Sequence, residues 1–97
     1  TRPKGSFIWD AEKERLNIWK HGVSFGEAMR AFQNPHRKIF IDKAHSNLEP
    51  RFFCIGKVGE KILTVRFTYR DGQIRIFGAG DWRNGRRDYE EKEQGSG

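Results

Sequence analysis

Arginine and phenylalanine side chains alternate with apolar residues between Lys61 and Gly80, an arrangement that could bind the phosphates and bases of a nucleic acid. A planar guanidinium holds a phosphate through two parallel hydrogen bonds, and an aromatic ring stacks on a base. The alternation is interrupted at Asp71-Gly72, a dipeptide typical of a two-residue hairpin turn, so two long antiparallel strands are predicted. Because opposed residues share a face, one face carries Thr64, Arg66, Thr68, Arg75 and Phe77.

The other face of this hairpin is apolar and is predicted to point into the core. In the expected register Thr68 lies opposite Arg75, and Arg66 lies opposite Phe77. A sheet of this kind is covered on its apolar face and is free to bind a ligand on the other. The apolar face consists of Leu63, Val65, Phe67, Tyr69, Ile74 and Ile76.

Two more residues reach the polar face if Arg51 to Lys57 forms a strand that turns at Val58-Gly59. This register places Arg51 opposite Arg66 and Phe53 opposite Thr64. A one-residue change in the turn would reverse the two faces of the strand. We call the combined surface the basic face; its members are Arg51, Phe53, Thr64, Arg66, Thr68, Arg75 and Phe77.

The basic face supplies candidate ligands for phosphate groups. Arg51, Arg66 and Arg75 are the main candidates, and Arg70 lies at the hairpin tip. A solvated basic surface without a ligand is the alternative interpretation. Phe53 and Phe77 either stack on bases or are covered by a helix.

Groups that could transfer protons lie outside the strands. His45 and Glu49 belong to a polar loop that leads into the basic face, and each either acts as an acid or base or orders the loop. His21 ends a helix in the segment Lys20-His21-Gly22, where a cation also has a structural role beside the last carbonyl groups. The histidines lack the ligand spacing of a zinc site, so no metal or other cofactor is expected.

Helix and strand signals elsewhere place the hairpin in an α+β domain. Asp10 and Ser24 are predicted helix N-caps, and Gly22 is the predicted left-handed residue that ends the first helix. The predicted segments are a strand at 6–9, helices at 11–21 and 25–32, a strand at 38–42, the strand at 51–57, the two hairpin strands and a helix at 86–93. The helical residues expected to cover the sheet are Leu16, Trp19, Phe25, Ala28, Met29 and Phe32.

We therefore expect one domain over residues 6–93, with flexible termini at 1–5 and 94–97. Its two N-terminal helices pack on one face of an antiparallel sheet, and a short helix follows the last strand.

The charge of the chain limits its class of partner. Among 97 residues, 19 Lys and Arg against 13 Asp and Glu give a net charge of +6, which favours an anionic partner such as nucleic acid, an anionic membrane or an acidic protein. No apolar run approaches the roughly 20 residues of a membrane span, and the N-terminus does not resemble a signal peptide, so a soluble cytoplasmic protein is expected. The single cysteine, Cys54, lies in an apolar strand and is expected to be buried and inert.

Short sequence matches in collinear order over nearly the whole domain resemble the BrnT toxins of bacterial type II toxin-antitoxin modules. The collinear set is far more specific than any one match. Its members are Trp9-Asp10, Lys13, Asn17, Lys20-His21-Gly22, Ser24-Phe25, Glu27-Ala28, Asp42, His45-Ser46, Glu49, Arg51-Phe52, Ile55-Gly56, Thr68, Arg70, Ile74-Arg75-Ile76 and Tyr89-Glu90.

The resemblance implies a RelE-like fold and an endoribonuclease toxin that cleaves RNA without a metal. It also implies a ribbon-helix-helix antitoxin, BrnA, which neutralises the toxin and makes the complex a repressor on operator DNA, with no membrane partner. The residues to which we assign catalysis are Arg51, Arg75, Glu49 and His45. Those to which we assign RNA binding are Arg66, Arg70, Phe53, Phe77, Lys20, His21 and Arg83.

The chain departs from the family pattern at Gly78-Ala79-Gly80, where the family often has Ser-Ala-Arg. An arginine at the edge of the basic face is therefore absent. Arg83 is predicted to replace its charge, provided that Gly80 permits a sharp turn that folds the following residues back over the sheet end. Trp82 either caps that end or belongs to a partner surface. The alternative function is a nucleic-acid-binding or antitoxin-binding module that keeps the fold without cleavage.

Overall fold

The long hairpin forms at the predicted place and lies within a five-stranded sheet. A computed structural model describes residues 6–95, with the backbone alone for His45 and residues 92–95. Asp71 (φ 55°) and Gly72 (φ 76°) both adopt the positive φ of the predicted turn. The strands are β1 Phe7–Trp9, β2 Lys38–Ile41, β3 Phe52–Val58, β4 Lys61–Arg70 and β5 Gln73–Gly80; the helices are α1 Ala11–His21, α2 Phe25–Met29 and α3 Arg83–Gly95, with 3₁₀ helices at Arg30–Gln33 and Lys43–His45.

The predicted α+β class is confirmed, with one difference in strand direction. The strand order is β1-β5-β4-β3-β2, and β2 to β5 pair antiparallel. β1, however, pairs parallel with β5, so that Phe7 lies opposite Ile74. The prediction of a wholly antiparallel sheet is therefore wrong at this edge. Apolar alternation does not encode strand direction, and β1 is joined to β5 by most of the chain rather than by a hairpin.

The register between β3 and β4 differs from the prediction but keeps its faces. The turn is formed by Gly59 (φ 63°) and Glu60, one residue later than expected, and Phe53 lies opposite Arg66 rather than Thr64. This is a shift of two residues, and side chains alternate with period 2. The assignment of Phe53 to the basic face is therefore correct.

A β-bulge interrupts the pairing of β4 with β5. The pairs run as predicted from Arg70 to Phe67, which lies opposite Ile76, but Arg66 then pairs with Gly78. Phe77 is the extra residue. A bulge increases the local twist and redirects side chains, and here it lies in the middle of the basic face.

The apolar face is covered by α2 and the 3₁₀ helix that follows it. Gly56 lies directly against the backbone carbonyl of Ala31, where a Cβ would not fit. α1 contributes less to this core than predicted, because Leu16 and Trp19 are 51% and 81% exposed. The main cluster consists of Phe7, Val23, Phe25, Ala28, Ala31, Cys54, Val58, Leu63, Val65, Phe67, Ile76 and Ala79.

Both predicted helix N-caps are confirmed. The Asp10 carboxylate accepts hydrogen bonds from the backbone N–H groups of Glu12 (2.8 Å) and Lys13 (3.2 Å), and these bonds lower the pKa of Asp10. Ser24 Oγ accepts from the backbone N–H of Glu27 at 3.0 Å. Gly22 ends α1 with φ 70°, as predicted.

α3 covers one end of the opposite face. Tyr89 packs with Ile55 and Ile62, and its hydroxyl donates to Asn34 Oδ1 at 3.0 Å. The helix begins three residues earlier than predicted, and the backbone of residues 94 and 95 forms its last part. The predicted flexibility of residues 1–5, 96 and 97 lies outside the described residues. Among the residues described, no helix is long and apolar enough to cross a membrane.

Candidate nucleic-acid interface

The basic face is open only in its middle. α3 covers one end, where Thr64 is 5% exposed. The loop before β3 covers the other, where Thr68 is 0% exposed and its hydroxyl donates to the carbonyl of Pro50. Between these ends, partly exposed side chains form the open part of the surface; they are Arg51, Phe53, Arg66, Arg75 and Phe77. Three arginines assigned to phosphate binding therefore lie on one open strip.

Arg51 is held from two sides. Its guanidinium carbon lies 4.2 Å from the centre of the Phe77 ring, a cation–π contact. Its Nη2 also lies 3.7 Å from Glu49 Oε2. The Glu49 carboxylate in turn accepts two hydrogen bonds from Arg70, at 2.9 and 3.0 Å. Glu49 thus lies between two arginines, a position in which it orients cations.

A network of short hydrogen bonds fixes the loop that carries Glu49. Ser46 Oγ accepts from the backbone N–H of Arg51 at 2.9 Å and donates to the carbonyl of Asp42 at 2.7 Å. The backbone N–H of Asp42 donates to the carbonyl of Arg51 at 2.7 Å. The side chain of His45 lies outside the described part of the loop, so its catalytic role stays a prediction.

α1 lies along the edge of β5, and hydrogen bonds from the side chain of Asn17 join the two elements. β1 pairs only with residues 74–76, so that the backbone of Ala79 lies beyond the end of the β1 ladder. Asn17 bonds this backbone as a strand would: its Oδ1 accepts from Ala79 N–H at 3.1 Å, and its Nδ2 donates to the Ala79 carbonyl at 2.9 Å. Nδ2 also donates to the Val23 carbonyl at 2.8 Å. The buried amide thereby positions α1 beside the basic face.

A pocket of about 200 Å³ lies between α1 and the basic face. It brings together four of the predicted RNA contacts from three elements, α1, β4 and β5. We call it the basic groove. Its lining residues are Lys13, Leu16, Asn17, Lys20, His21, Arg66, Phe77, Gly78 and Trp82.

The charge around the groove is mostly positive. Within the described part of the chain, Lys13, Lys20, Arg66 and Arg75 belong to none of the ion pairs. Asp10 is close enough to Lys13 and Arg75 that their charges add to the backbone hydrogen bonds in lowering its pKa. Unpaired cations around one groove favour the binding of an anion.

Trp82 packs over the end of the sheet, as one of the two interpretations proposed. Its ring meets His21 edge-to-face, with centroids 5.2 Å apart and an interplanar angle of 89°. A Cβ at Gly80 would overlap the indole ring. Gly80 is not among the residues with positive φ. Gly80 is instead the last residue of β5, so a turn does not require its glycine, which is explained by the approach of Trp82. An arginine at position 80 would displace this ring.

The arginines that follow Trp82 are not among the residues that line the groove. Arg83 begins α3 and is exposed, and its replacement of the missing arginine stays a prediction. Arg86 Nε lies 4.0 Å from Asp81 Oδ1, and its Nη1 lies 3.4 Å from Glu90 Oε2.

Phe53 and Phe77 have different surroundings, although both are partly exposed. Phe77 lines the basic groove and carries Arg51 on its ring. Phe53 lines a second pocket between the sheet and α3. Trp82 lines both pockets and is the wall that they share.

Two residues of the groove were not predicted from the sequence, Lys13 as a cation and Asn17 as the side chain that holds α1 against β5. Lys13, Asn17 and Lys20 are spaced i, i+4 and i+7, which places them on one side of a helix and could have identified a polar face. His21 supplies the groove with an imidazole. No cluster of three or more His, Cys, Asp or Glu suited to a metal ion occurs among the described residues.

Comparison with models of known protein families identifies the family of the chain. The model of a family described as ribonuclease toxin, BrnT, of type II toxin-antitoxin system matches residues 9–85, and confirms the resemblance inferred from the sequence. The matched region contains the whole groove and ends in the first turn of α3. No curated protein sequence matches the chain.

Proposed function

Because the chain belongs to the BrnT family of type II toxin-antitoxin ribonuclease toxins, we propose that it cleaves RNA internally on the basic face, without a metal. The observation that carries this proposal is the set of four cations, Lys13, Lys20, Arg66 and Arg75, on or beside one groove and outside every ion pair of the described residues. Such a groove attracts a polyanion and retains free donors for its phosphates.

The chemistry requires charge stabilisation and two proton transfers. In cleavage without a metal, the ribose 2′-hydroxyl attacks the adjacent phosphorus, and the bond from phosphorus to the 5′-oxygen of the next nucleotide breaks. We assign the charge that develops on the phosphoryl oxygens to Arg66 and Arg75. Arg51, fixed on Phe77, is assigned to a phosphate beside the reacting one. One proton leaves the 2′-hydroxyl and another reaches the 5′-oxygen; His21, His45 and Glu49 are the candidate groups.

Membership of a type II family implies an antitoxin partner and an RNA target. We propose that the antitoxin is a BrnA-like ribbon-helix-helix protein, which neutralises the toxin and carries the complex to operator DNA. The exposed Leu16 and Trp19 on α1 support a protein contact there, since they lie on the helix that also presents Lys20 to the groove. A segment bound at this place would also block the RNA.

A cleavage assay tests the proposed activity. The purified protein should cut RNA equally well with and without EDTA, leaving 2′,3′-cyclic phosphate and 5′-hydroxyl ends. Arg75→Ala should lower the cleavage rate by about 100- to 1000-fold, the usual loss of one transition-state donor. Arg15→Ala is the matched control, because Arg15 is paired with Glu12 on the exposed side of α1.

Two results would contradict the proposal. One is full cleavage by an Arg75→Ala variant that melts like the parent. The other is a parent that binds RNA with a steep salt dependence and leaves it intact, which would make the chain a binding module that has kept the family fold.

A further inference from the structure

A pocket lies between the sheet and α3, and the cleavage chemistry does not use it. Its volume is about 400 Å³. Aromatic rings from β2, from β3 and from the segment before α3 line it, together with two polar side chains of α3. The lining residues are Phe40, Phe53, Ile55, Thr64, Trp82, Asn84, Gly85 and Asp88.

The lining is suited to a flat, heteroaromatic ligand. The rings of Phe40, Phe53 and Trp82 can pack against such a ligand, while the Asn84 amide and the Asp88 carboxylate can bond its edge. The Thr64 hydroxyl is buried beneath Gly85, so the polar contacts to a ligand must come from Asn84 and Asp88 of α3. Asp88 belongs to none of the ion pairs of the described residues, and its oxygens are therefore available.

The pocket adjoins the basic groove directly. Phe53, in the pocket, lies opposite Arg66, which lines the groove, in the pairing of β3 with β4. Trp82 is common to both linings. The base and the phosphate of a nucleotide are joined through a single ribose, so a phosphate held at Arg66 places its base within reach of the pocket.

We propose that this pocket binds a nucleobase of the RNA next to the cleaved phosphate, and that Asp88 makes guanine the preferred base. Guanine presents two adjacent donors, N1–H and the N2 amino group, which match the two oxygens of a carboxylate. Adenine and cytosine place an unprotonated ring nitrogen at that position, and uracil places its single N–H between two carbonyl groups. The identification of the ligand as RNA rests on the proposed function, whereas nucleobase binding is measurable without cleavage.

The binding test uses ¹⁵N-labelled protein and separate titrations with dGMP, dCMP and inorganic phosphate, none of which can be cleaved. With dGMP we expect shifts of the Asn84 side-chain amide and the Gly85 backbone amide, at a concentration at least tenfold lower than with dCMP. Inorganic phosphate should shift only signals of the groove. Asp88→Asn should abolish the difference between the nucleotides, and Glu91→Gln, the same charge change on the exposed side of α3, should keep it.

The cleavage test uses RNA with random flanking sequence. Fragments should show guanine enriched beside the cut, and Asp88→Asn should lower the preference for guanine by about 10- to 100-fold, the range expected for losing a bidentate base contact. Cleavage with no base preference, or a preference unchanged in Asp88→Asn, overturns the inference and leaves the ribonuclease proposal intact. If the parent protein does not cleave RNA, the ribonuclease proposal is overturned. The titration alone then tests whether the pocket binds a nucleobase.

The titration also distinguishes a pocket that binds a nucleobase from one that binds a protein side chain. Nucleotide shifts confined to the groove overturn the inference. So do pocket shifts produced by N-acetyltryptophanamide at a lower concentration than by dGMP, because the site would then fit an apolar residue of a protein partner.

Discussion

Arg51 and Phe77 show how one side chain can fix another on an exposed sheet face. The Arg51 guanidinium carbon lies 4.2 Å from the centre of the Phe77 ring, and its Nη2 lies 3.7 Å from Glu49 Oε2, so two contacts hold the side chain. An exposed arginine would otherwise lose about 2 kcal/mol of rotamer freedom when it binds a phosphate. One face of the Phe77 ring is thereby occupied, which leaves its other face for a base. We therefore view Phe77 chiefly as the support of Arg51.

Cys54 leads to a prediction about reactivity and pH. Burial raises the pKa of its thiol from the ordinary value of 9.0 to about 12. The native protein should therefore resist iodoacetamide at pH 8, where the unfolded chain is alkylated, because the thiolate is the nucleophile. Below pH 9 the thiol is protonated in both states and adds no pH dependence. Between pH 9 and 12 only the unfolded state ionises, so the free energy of unfolding falls as pH rises.

The control for this prediction is Cys54→Ala. The difference in unfolding free energy between the two proteins should be flat below pH 9 and should change between pH 9 and 12. Alkylation of the native protein as fast as that of the unfolded chain would show that the thiol is accessible.

At the scale of secondary structure, the position of α1 depends on a single buried amide. Asn17→Ala removes the partner of the Ala79 N–H and of the Ala79 and Val23 carbonyl groups. An unsatisfied buried group costs about 1 to 3 kcal/mol, so we expect the free energy of unfolding to fall by roughly 2 to 5 kcal/mol. Urea denaturation measures this loss, and faster hydrogen exchange of the Ala79 amide would locate it at the edge of β5.

Asn47→Ala is the matched control, because Asn47 is exposed in the loop before β3 and its removal should change stability by less than about 0.5 kcal/mol. Equal stability of both variants, with unchanged exchange at Ala79, would show that α1 is held by its other contacts. Cleavage should fall with Asn17→Ala beyond the effect on stability, since Lys13 and Lys20 reach the groove only through the helix that Asn17 holds.

Features that depend on neighbouring residues were predicted correctly from the sequence. Features that depend on contacts between distant parts of the chain were not. The limits of α1 were predicted correctly, because Asp10 and Gly22 act within a few residues of the helix ends. The faces of β4 were also correct, since they follow from period 2 alone. The direction of β1 was not predictable, because its partner β5 is more than sixty residues away. The indole of Trp82 above Gly80 is likewise a tertiary contact, which no local pattern records.

The candidate site was predictable to a similar extent. Arg66, Arg75 and Phe77 followed from the alternation of one hairpin. The roles of Lys13 and Asn17 depend on where α1 crosses the edge of β5, and α1 was expected to bury Leu16 and Trp19 instead. The second pocket depends on α3, whose residues Asn84 and Asp88 show no pattern in the sequence that indicates a cavity.

At the scale of the whole molecule, the two edges of the sheet differ in the side chains that they expose. α1 lies at the β1–β5 edge with Trp19 81% exposed, close to the basic groove, while β2 forms the opposite edge with Ile39 45% exposed. The net charge of +6 favours polyanions in general, and the first edge combines exposed apolar side chains with the basic groove. This asymmetry supports our proposal that the antitoxin binds at the first edge.

The last prediction compares these edges through two equivalent substitutions. Trp19→Glu should leave the thermal melting curve nearly unchanged, because the side chain is exposed. The substitution should weaken binding of the cognate antitoxin by about 30-fold or more, as expected of an aromatic hot spot. Ile39→Glu places the same charge on the opposite edge and should bind the antitoxin like the parent. Titration calorimetry measures both affinities. Weakening by Ile39→Glu alone would instead mean that the antitoxin pairs with the edge strand β2, and that the groove is closed to RNA by some means other than a segment bound across α1.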